Sequence, residues 1–396
     1  MRARALSLLA AGLLVLAACG EDEEAPAPEP APEPVVRYTP APVTDLPGWD
    51  SDAVSAALPA WQHSCRRLAM RAPDTQVGPS GANVTGTAGD WQPLCTEILV
   101  LADGDDSGLR AFIAANFTAL FVDNGPDEKG LFTGYYEPVI AVSPERTDDY
   151  AEPIYALPRD HVSVRLGDFD PALKGKSIVG RVEAGSLVPY RKRGEIDAGA
   201  LDGQSEVLYW ARDPLDLFIL QVQGSGVAEQ PDGTRGRIGF AGHNGHAYGS
   251  LGRHLIDTGE LDAGRASWGD IRAWLEAHPD KARGALAVNP RYIFFRTIDG
   301  DGPMGAAGVP LTAGRSLAVD TDNVPLNVPV WLDAEDPDGG RLRRLMLAQD
   351  VGSAIKGVVR GDFYWGTGDA ALAKAGRMKS AGRYWILVPK GVAPAS

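Results

Sequence analysis

Glycine and proline, 47 and 30 of the 396 residues, cut most of this chain into short runs rich in β-branched and aromatic side chains. Runs of this kind predict strands over residues 181–187, 215–222, 291–297, 328–332 and 383–388. Apolar residues at helical spacing are confined to residues 53–71, 109–122, 247–258 and 268–278, the last behind a Ser267 cap. A chain patterned this way is mainly β with a minority of helices. It folds as barrels or sandwiches whose strand order the pattern leaves open.

The amino-terminal end is of another kind. Arg2 and Arg4 precede an apolar run, Ala5 to Leu14, which makes residues 1–18 a secretory signal too short to span a bilayer. It closes on Leu16-Ala17-Ala18-Cys19-Gly20, the form of a bacterial lipobox. On that reading Cys19 is lipidated and heads the mature chain; the alternative is ordinary cleavage beside an incidental cysteine. Gly20, in place of an aspartate, points to the outer membrane, with the protein facing the periplasm. Residues 19–47 are then the lipidated cysteine and a Pro/Glu-rich tether with too little apolar surface to fold. Extended at ~3.1 Å per residue, it would reach roughly 80 Å.

Composition narrows the partners. The formal charge is −14, and −16 once Arg2 and Arg4 leave with the signal, which excludes nucleic acid. A neutral or mixed-charge glycan stays compatible, because sugars are held by hydrogen bonds and aromatic faces. Cys65 and Cys95 are either a disulfide formed in an oxidising periplasm or two buried thiols. No cysteine and histidine spacing fits a metal site, and no cofactor is expected. About 350 residues beyond the tether exceed what one hydrophobic core serves, so two domains are expected.

The chemistry concentrates near the carboxyl end. Leu317-Ala318-Val319-Asp320, Ala348-Gln349-Asp350-Val351-Gly352-Ser353 and Gly361-Asp362-Phe363-Tyr364-Trp365-Gly366 set three aspartates in apolar, glycine-rich surroundings. A carboxylate there is costly unless it is hydrogen-bonded or protonated, and a carboxyl protonated at neutral pH is what acid catalysis needs. In an extended Gly361–Trp365 segment, Asp362 and Tyr364 share one face while Phe363 and Trp365 lie on the other. Read without any relative, the same aspartates could open turns or satisfy backbone amides. Further motifs lie upstream: Phe132-Thr133-Gly134-Tyr135-Tyr136-Glu137-Pro138, Leu217-Phe218-Ile219-Leu220-Gln221-Val222-Gln223-Gly224-Ser225-Gly226, Gly242-His243-Asn244-Gly245-His246-Ala247-Tyr248 and Asn289-Pro290-Arg291-Tyr292-Ile293-Phe294-Phe295.

In this order, from about residue 55 to residue 390, the segments resemble the membrane-bound lytic murein transglycosylase A family, peptidoglycan-cleaving lipoproteins of Gram-negative bacteria. Ser353 stands where that family most often has glycine. The resemblance implies a double-psi β-barrel built from residues 48–137 and 288–396, a second β-barrel inserted at residues 138–287, and a groove between them. It further implies cleavage of the β-1,4 bond after N-acetylmuramic acid with 1,6-anhydromuramyl ends. Asp362 would act as acid and then base, supported by Asp350 and Asp320. Tyr135, Tyr136, Glu137, Gln221, Gln223, Ser225, Asn244, His246 and Tyr364 are the residues expected at the glycan. Expected partners are peptidoglycan strands, the membrane through the lipid anchor, and cell-wall synthesis complexes. Two rival readings are a hydrolase using Asp362 and Asp350 around a water, and a wall-binding lipoprotein without activity. An aspartic peptidase is discounted, since neither Asp320-Thr321-Asp322 nor Asp350-Val351-Gly352 supplies an Asp-Thr/Ser-Gly loop.

Overall fold

The computed structural model describes residues 36–78, 84–125, 130–264, 266–300 and 302–392; the expected signal segment and Cys19 lie outside them. The chain begins with β1 (Arg37–Ala41), followed by α1 (Leu58–Ala69), α2 (Ala88–Ile98) and α3 (Asp106–Asn116). It then forms β2 (Phe117–Asp123) and β3 (Gly130–Glu137). After a long excursion it returns with β13 (Ser316–Val319), β14 (Pro329–Glu335), β15 (Arg341–Asp350), β16 (Arg360–Thr367), α9 (Asp369–Ala375) and β17 (Lys379–Pro389).

Six of these strands close into a barrel in the order β17-β14-β15-β13-β16-β3, with β3 pairing back onto β17. The β13–β15 and β16–β3 pairs are parallel, and the others in the ring antiparallel. One eleven-residue strand, β17, makes closure possible: its start pairs with β3, its middle with β14 and its end with β2. The barrel core is packed with Phe132, Leu317, Trp331, Leu345, Phe363 and Leu387, and α1–α3 add Trp61 and Trp91, both fully buried. Cys65 of α1 and Cys95 of α2 form a disulfide across a separation of 30 residues, a loop whose closure stabilises by roughly 3–4 kcal/mol. Arg315 forks onto both oxygens of Asp52 at 2.7 and 2.9 Å, a buried pair whose remaining bonds go to backbone.

The excursion makes a second body. It contains β4 (Val139–Ser143), β5 (Glu152–Tyr155), β6 (His161–Arg165), β7 (Ser177–Glu183), β8 (Ser186–Pro189), the single turn α4 (Arg193–Glu195) and β9 (Val207–Ala211). Then come α5 (Pro214–Gln223), β10 (Ser225–Glu229), β11 (Arg235–His243), α6 (Leu251–Asp257), α7 (Trp268–Ala277), α8 (Pro279–Leu286) and β12 (Ile293–Ile298). Its main sheet runs β12-β11-β10-β4-β9-β5, and a bridge between Ala156 and Phe295 joins the two edges, closing a second six-stranded barrel. A separate three-stranded sheet, β6-β7-β8, lies beside it.

Several expectations are corrected here. Residues 37–47 are not tether: β1 pairs along β2, and Val43 and Leu46 are buried. Residues 215–222 form helix α5, not a strand. Asp213 caps it by accepting from the Leu215 and Asp216 amides, Pro214 starts it, and Gly224 ends it at φ +85°. The helix expected over 109–122 stops at Asn116, and Phe117-Thr118-Ala119-Leu120 goes into β2, where its branched and aromatic side chains pack in the barrel. Residues 181–187 are a hairpin, turning at Ala184 and Gly185 between β7 and β8. The second barrel also runs past residue 287, since β12 is one of its strands. Helix α7 behind Ser267 is as the spacing predicts, with the full capping box to Asp270.

Candidate active site

Four residues stand in register across four neighbouring strands of the first barrel. Ala318 on β13 pairs with Asp350 on one side and Asp362 on the other, and Asp362 pairs with Thr133 of β3. Residues opposite one another in a ladder share a face, so both aspartates, the alanine and the threonine present their side chains together. At ~4.8 Å per strand, the two aspartate backbones lie about 10 Å apart with only a methyl group between them. All four line a cavity of about 430 Å³ whose other wall, Val222, Gln223, Tyr248 and Trp268, belongs to the second barrel.

Sequence makes this arrangement because β16 alternates. Phe363 is fully buried in the barrel core, while Asp362, one residue earlier, turns to the cavity. Gly134 is required beside it, since a Cβ there would come within 2.6 Å of the Trp365 indole nitrogen and 2.9 Å of the Ala375 backbone. Thr133 donates its hydroxyl to Asp362 Oδ1 at 2.5 Å and itself accepts from Arg360 Nη2 at 2.9 Å. Among the described residues nothing hydrogen-bonds to the other oxygen, Oδ2.

Burial is the main influence on the Asp362 carboxyl and pushes it up. Thr133 and Arg360 pull it down, Asp350 pushes it up again, and it settles at about 6. Asp350 is raised by burial as well, although the Ala306 and Val351 amides and the Tyr135 hydroxyl favour its charged form. Its Oδ1 accepts from Ala306 at 3.0 Å and its Oδ2 from the Tyr135 hydroxyl at 3.0 Å. The Tyr135 phenol is raised well above its usual range, first by burial and then by the two aspartates.

Asp320 differs. Burial would raise it, but Lys356 at 2.8 Å and the Gly357 amide at 2.9 Å more than offset that and hold it below the ordinary range. It organises its own turn and does not line the cavity.

The other expected residues divide. Tyr135 and Gln223 line the cavity, and Gln223 is fixed by accepting from the Tyr136 amide. Tyr364 lies behind, with its ring 5.2 Å from that of Tyr135. Tyr136 is buried and borders a neighbouring cavity with Trp268. Gln221 lines a smaller pocket that continues the main one. Glu137 is fully buried and joins the two barrels, binding Arg237 of β11 and the Thr367 hydroxyl. Asn244 knits a turn through Arg191, Pro290 and Tyr292, His246 bonds to the Tyr190 carbonyl, and Ser225 pairs with Gly239 in β10. These last four do not line the cavity. The expectation of strand-borne, same-facing Gln221 and Gln223 fails with the helix: on α5 the two lie well apart around the axis.

Sequence reasoning passed over Thr133, Arg360, Tyr248 and Trp268. Thr133 sits inside a quoted motif and Arg360 next to one, but only the β3–β16 pairing shows that Thr133 meets Asp362. Tyr248, 37% exposed at the end of a glycine-rich turn, was legible as an aromatic without a core to join.

Comparison with known proteins agrees with this construction. An MltA-specific insert domain model matches residues 131–296, and a 3D domain model matches residues 315–388. The membrane-bound lytic murein transglycosylase A of Escherichia coli K12 is 32% identical over 345 residues, spanning 85% of this chain and 84% of its own. That of Vibrio cholerae is 32% identical over 309 residues, spanning 75% and 76%. Crystal structures of MltA from Neisseria gonorrhoeae (34% identity, TM-score 0.78, 91% and 94% coverage) and of the transglycosylase from Agrobacterium tumefaciens (33%, 0.79, 89% and 98%) share the two-barrel fold. E. coli MltA with bound chitohexaose aligns at 28% identity and TM-score 0.65, covering 89% of this chain and 94% of that one. Fold, cleft and relatives together define a lytic transglycosylase, an enzyme acting on the murein of the cell envelope. The chain belongs to the membrane-bound lytic murein transglycosylase A family.

Proposed function

We propose that the enzyme cleaves the β-1,4 bond between N-acetylmuramic acid and N-acetylglucosamine with Asp362 as its single acid/base. Protonated Asp362 gives its proton to the glycosidic oxygen as that bond to the muramyl anomeric carbon breaks. The resulting carboxylate takes the proton of the 6-hydroxyl of the same sugar as its oxygen closes on that carbon, leaving a 1,6-anhydro end and a restored acid. Attack from within one sugar has a high effective molarity, so no second carboxylate is needed to activate water. The observation that carries this reading is one carboxyl held near 6 by burial, with one oxygen fixed by Thr133. Asp350 is less suited to be the base of a hydrolase, because both its oxygens already accept hydrogen bonds. Its place at Ala318 serves instead to keep Asp362 protonated. That the E. coli relative binds chitohexaose supports a glycan ligand for this chain, and the cleft walled by Tyr135, Gln223, Tyr248 and Trp268 is the place we assign to it.

Digestion of purified sacculi tests both halves. Muropeptides lighter by one water than their hydrolytic counterparts are expected from the wild type, and none from Asp362→Asn. Reducing muramyl ends, or lysis unaffected by that substitution, refutes the assignment.

Attachment by a lipid at Cys19, the outer-membrane address and recruitment to wall-synthesis complexes rest on the sequence and on relatives described as membrane-bound. Among the described residues no helix is long and apolar enough to cross a membrane. Cys19→Ser is expected to release the protein into the soluble periplasm; membrane retention of that variant would count against the anchor.

A further inference from the structure

Beyond Tyr248 the catalytic cavity continues into a pocket of about 150 Å³, the two sharing Val222, Gln223, Gly352 and Ser353 among their walls. Two arginines, Arg193 and Arg291, are among the residues that line it. Among the described residues neither has an ion pair, which is unusual in a chain of formal charge −14. Arg193 is only 3% exposed. Its Nε donates to the Asn289 carbonyl at 3.0 Å and its Nη2 to that of Arg291 at 2.8 Å, while the group lies 4.7 Å from the Phe218 ring centre. Asp197, which favours its charge, makes no ion pair with it and lines a different cavity. Arg291 spends Nη1 on the His246 carbonyl at 3.0 Å. Gln221 completes the wall, its amide buried against Tyr292 without a well-formed hydrogen bond.

A buried cation left without an acid partner is costly, and an arginine so placed is a receptor for a carboxylate. Desolvation adds to this, since burial already disfavours the charge on both arginines. Chitin-type sugars carry no acid. Muramic acid does: its 3-position bears a lactyl group, which ends in a free carboxylate on peptide-free strands and leads to the acidic residue of the stem peptide on substituted ones. We propose that the pocket walled by Arg193 and Arg291 receives this carboxylate, so that it selects muramic acid and sets which sugar presents its anomeric carbon to Asp362. The inference rests on the peptidoglycan reading above.

Binding is measured on the full chain carrying Asp362→Asn, so that no turnover is needed and a failed catalytic assignment would show only in the lysis assay. The probes have matched length: peptide-free glycan, the same glycan with its lactyl carboxylates methylamidated, peptide-bearing glycan, and a chitooligosaccharide. Carboxylate-bearing glycan is expected to bind about tenfold more tightly than the methylamidated glycan or the chitooligosaccharide, the gain being one charge-assisted bond to arginine. Adding Arg291→Met should abolish that preference and leave chitooligosaccharide affinity unchanged, with Arg291→Lys intermediate. A preference shared by peptide-bearing strands assigns the pocket to the stem carboxylate as well; one confined to peptide-free strands assigns it to the lactyl group. Equal affinity for all four glycans, or a preference that survives Arg291→Met, overturns the proposal.

Discussion

Asp333 and Asp362 occupy strands of the same barrel, and burial pushes both carboxyls the same way, yet they end on opposite sides of the ordinary carboxyl value. Asp333, its side chain 1% exposed, faces Arg343 and Arg383 across the ladders, with Arg341 beside them. These three guanidinium groups outweigh burial and hold it ionised, below the ordinary range. Around Asp362 the Arg360 guanidinium bonds to the Thr133 hydroxyl and makes no ion pair with the carboxyl among the described residues, and a second aspartate stands across Ala318. What separates a carboxyl held ionised from one shifted upward here is the number of cations in direct contact with it, not the depth at which it lies.

The sharpest break of this contrast is functional. Asp362→Asn should lower the rate of glycan release from sacculi by about 10²- to 10⁴-fold, the worth of a general acid, while Asp333→Asn keeps activity. Next comes the ionised side of the barrel. Asp52→Ala leaves Arg315 buried and unpaired and should cost about 3–5 kcal/mol, read as a fall in denaturant midpoint.

Smaller, and opposite in sign, are the stability effects of the two neutralised aspartates. The folded-state value of Asp333 is depressed, so its contribution is present above the unfolded value of about 3.9 and disappears as pH falls through the folded one. Asp333→Asn should therefore cost about 1–3 kcal/mol at pH 7, and the gap from wild type should narrow below about pH 4. For Asp362 the folded value lies above the unfolded one, so wild type loses stability as pH rises from about 4 to about 6. Asp362→Asn should escape this loss and be more stable at pH 8 by about 1–3 kcal/mol, with the difference vanishing near pH 4. Equal and same-signed pH profiles for the two variants would erase the distinction.

The smallest effect is a shift rather than a loss. On the role proposed for Asp362 as acid, activity should decline as pH rises through about 6. Because the Thr133 hydroxyl favours the carboxylate, Thr133→Val should move that decline upward by up to about one pH unit. A downward shift would mean that Thr133 donates to the neutral acid.

Much of this was legible before the fold. Two-residue alternation put Phe363 and Asp362 on opposite faces of one strand, and Ser267 with its helical spacing gave α7. Residues 215–222 were not legible from periodicity, because an eight-residue apolar run fits a buried strand as well as a buried helix. Asp213-Pro214 before it and Gly224 after it carried the missing signal, and weighing those ends would have settled it. The break at Asn116 carried no glycine or proline, so only the barrel's demand for β2 reveals it. At the site, register was the hidden quantity. No local pattern tells that Thr133, Asp362, Ala318 and Asp350 form one row, nor that Asp320 is held by Lys356 in a turn of its own.

That row has a temporal side. Thr133 and Asp362 are separated by 229 residues, so their meeting closes a loop that holds the whole second barrel, a slow kind of contact to form. Until then the carboxyl at position 362 is wetted and ionised like that of any unfolded aspartate. A wall-cutting enzyme whose acid is completed by so distant a contact stays disarmed until its last strands close.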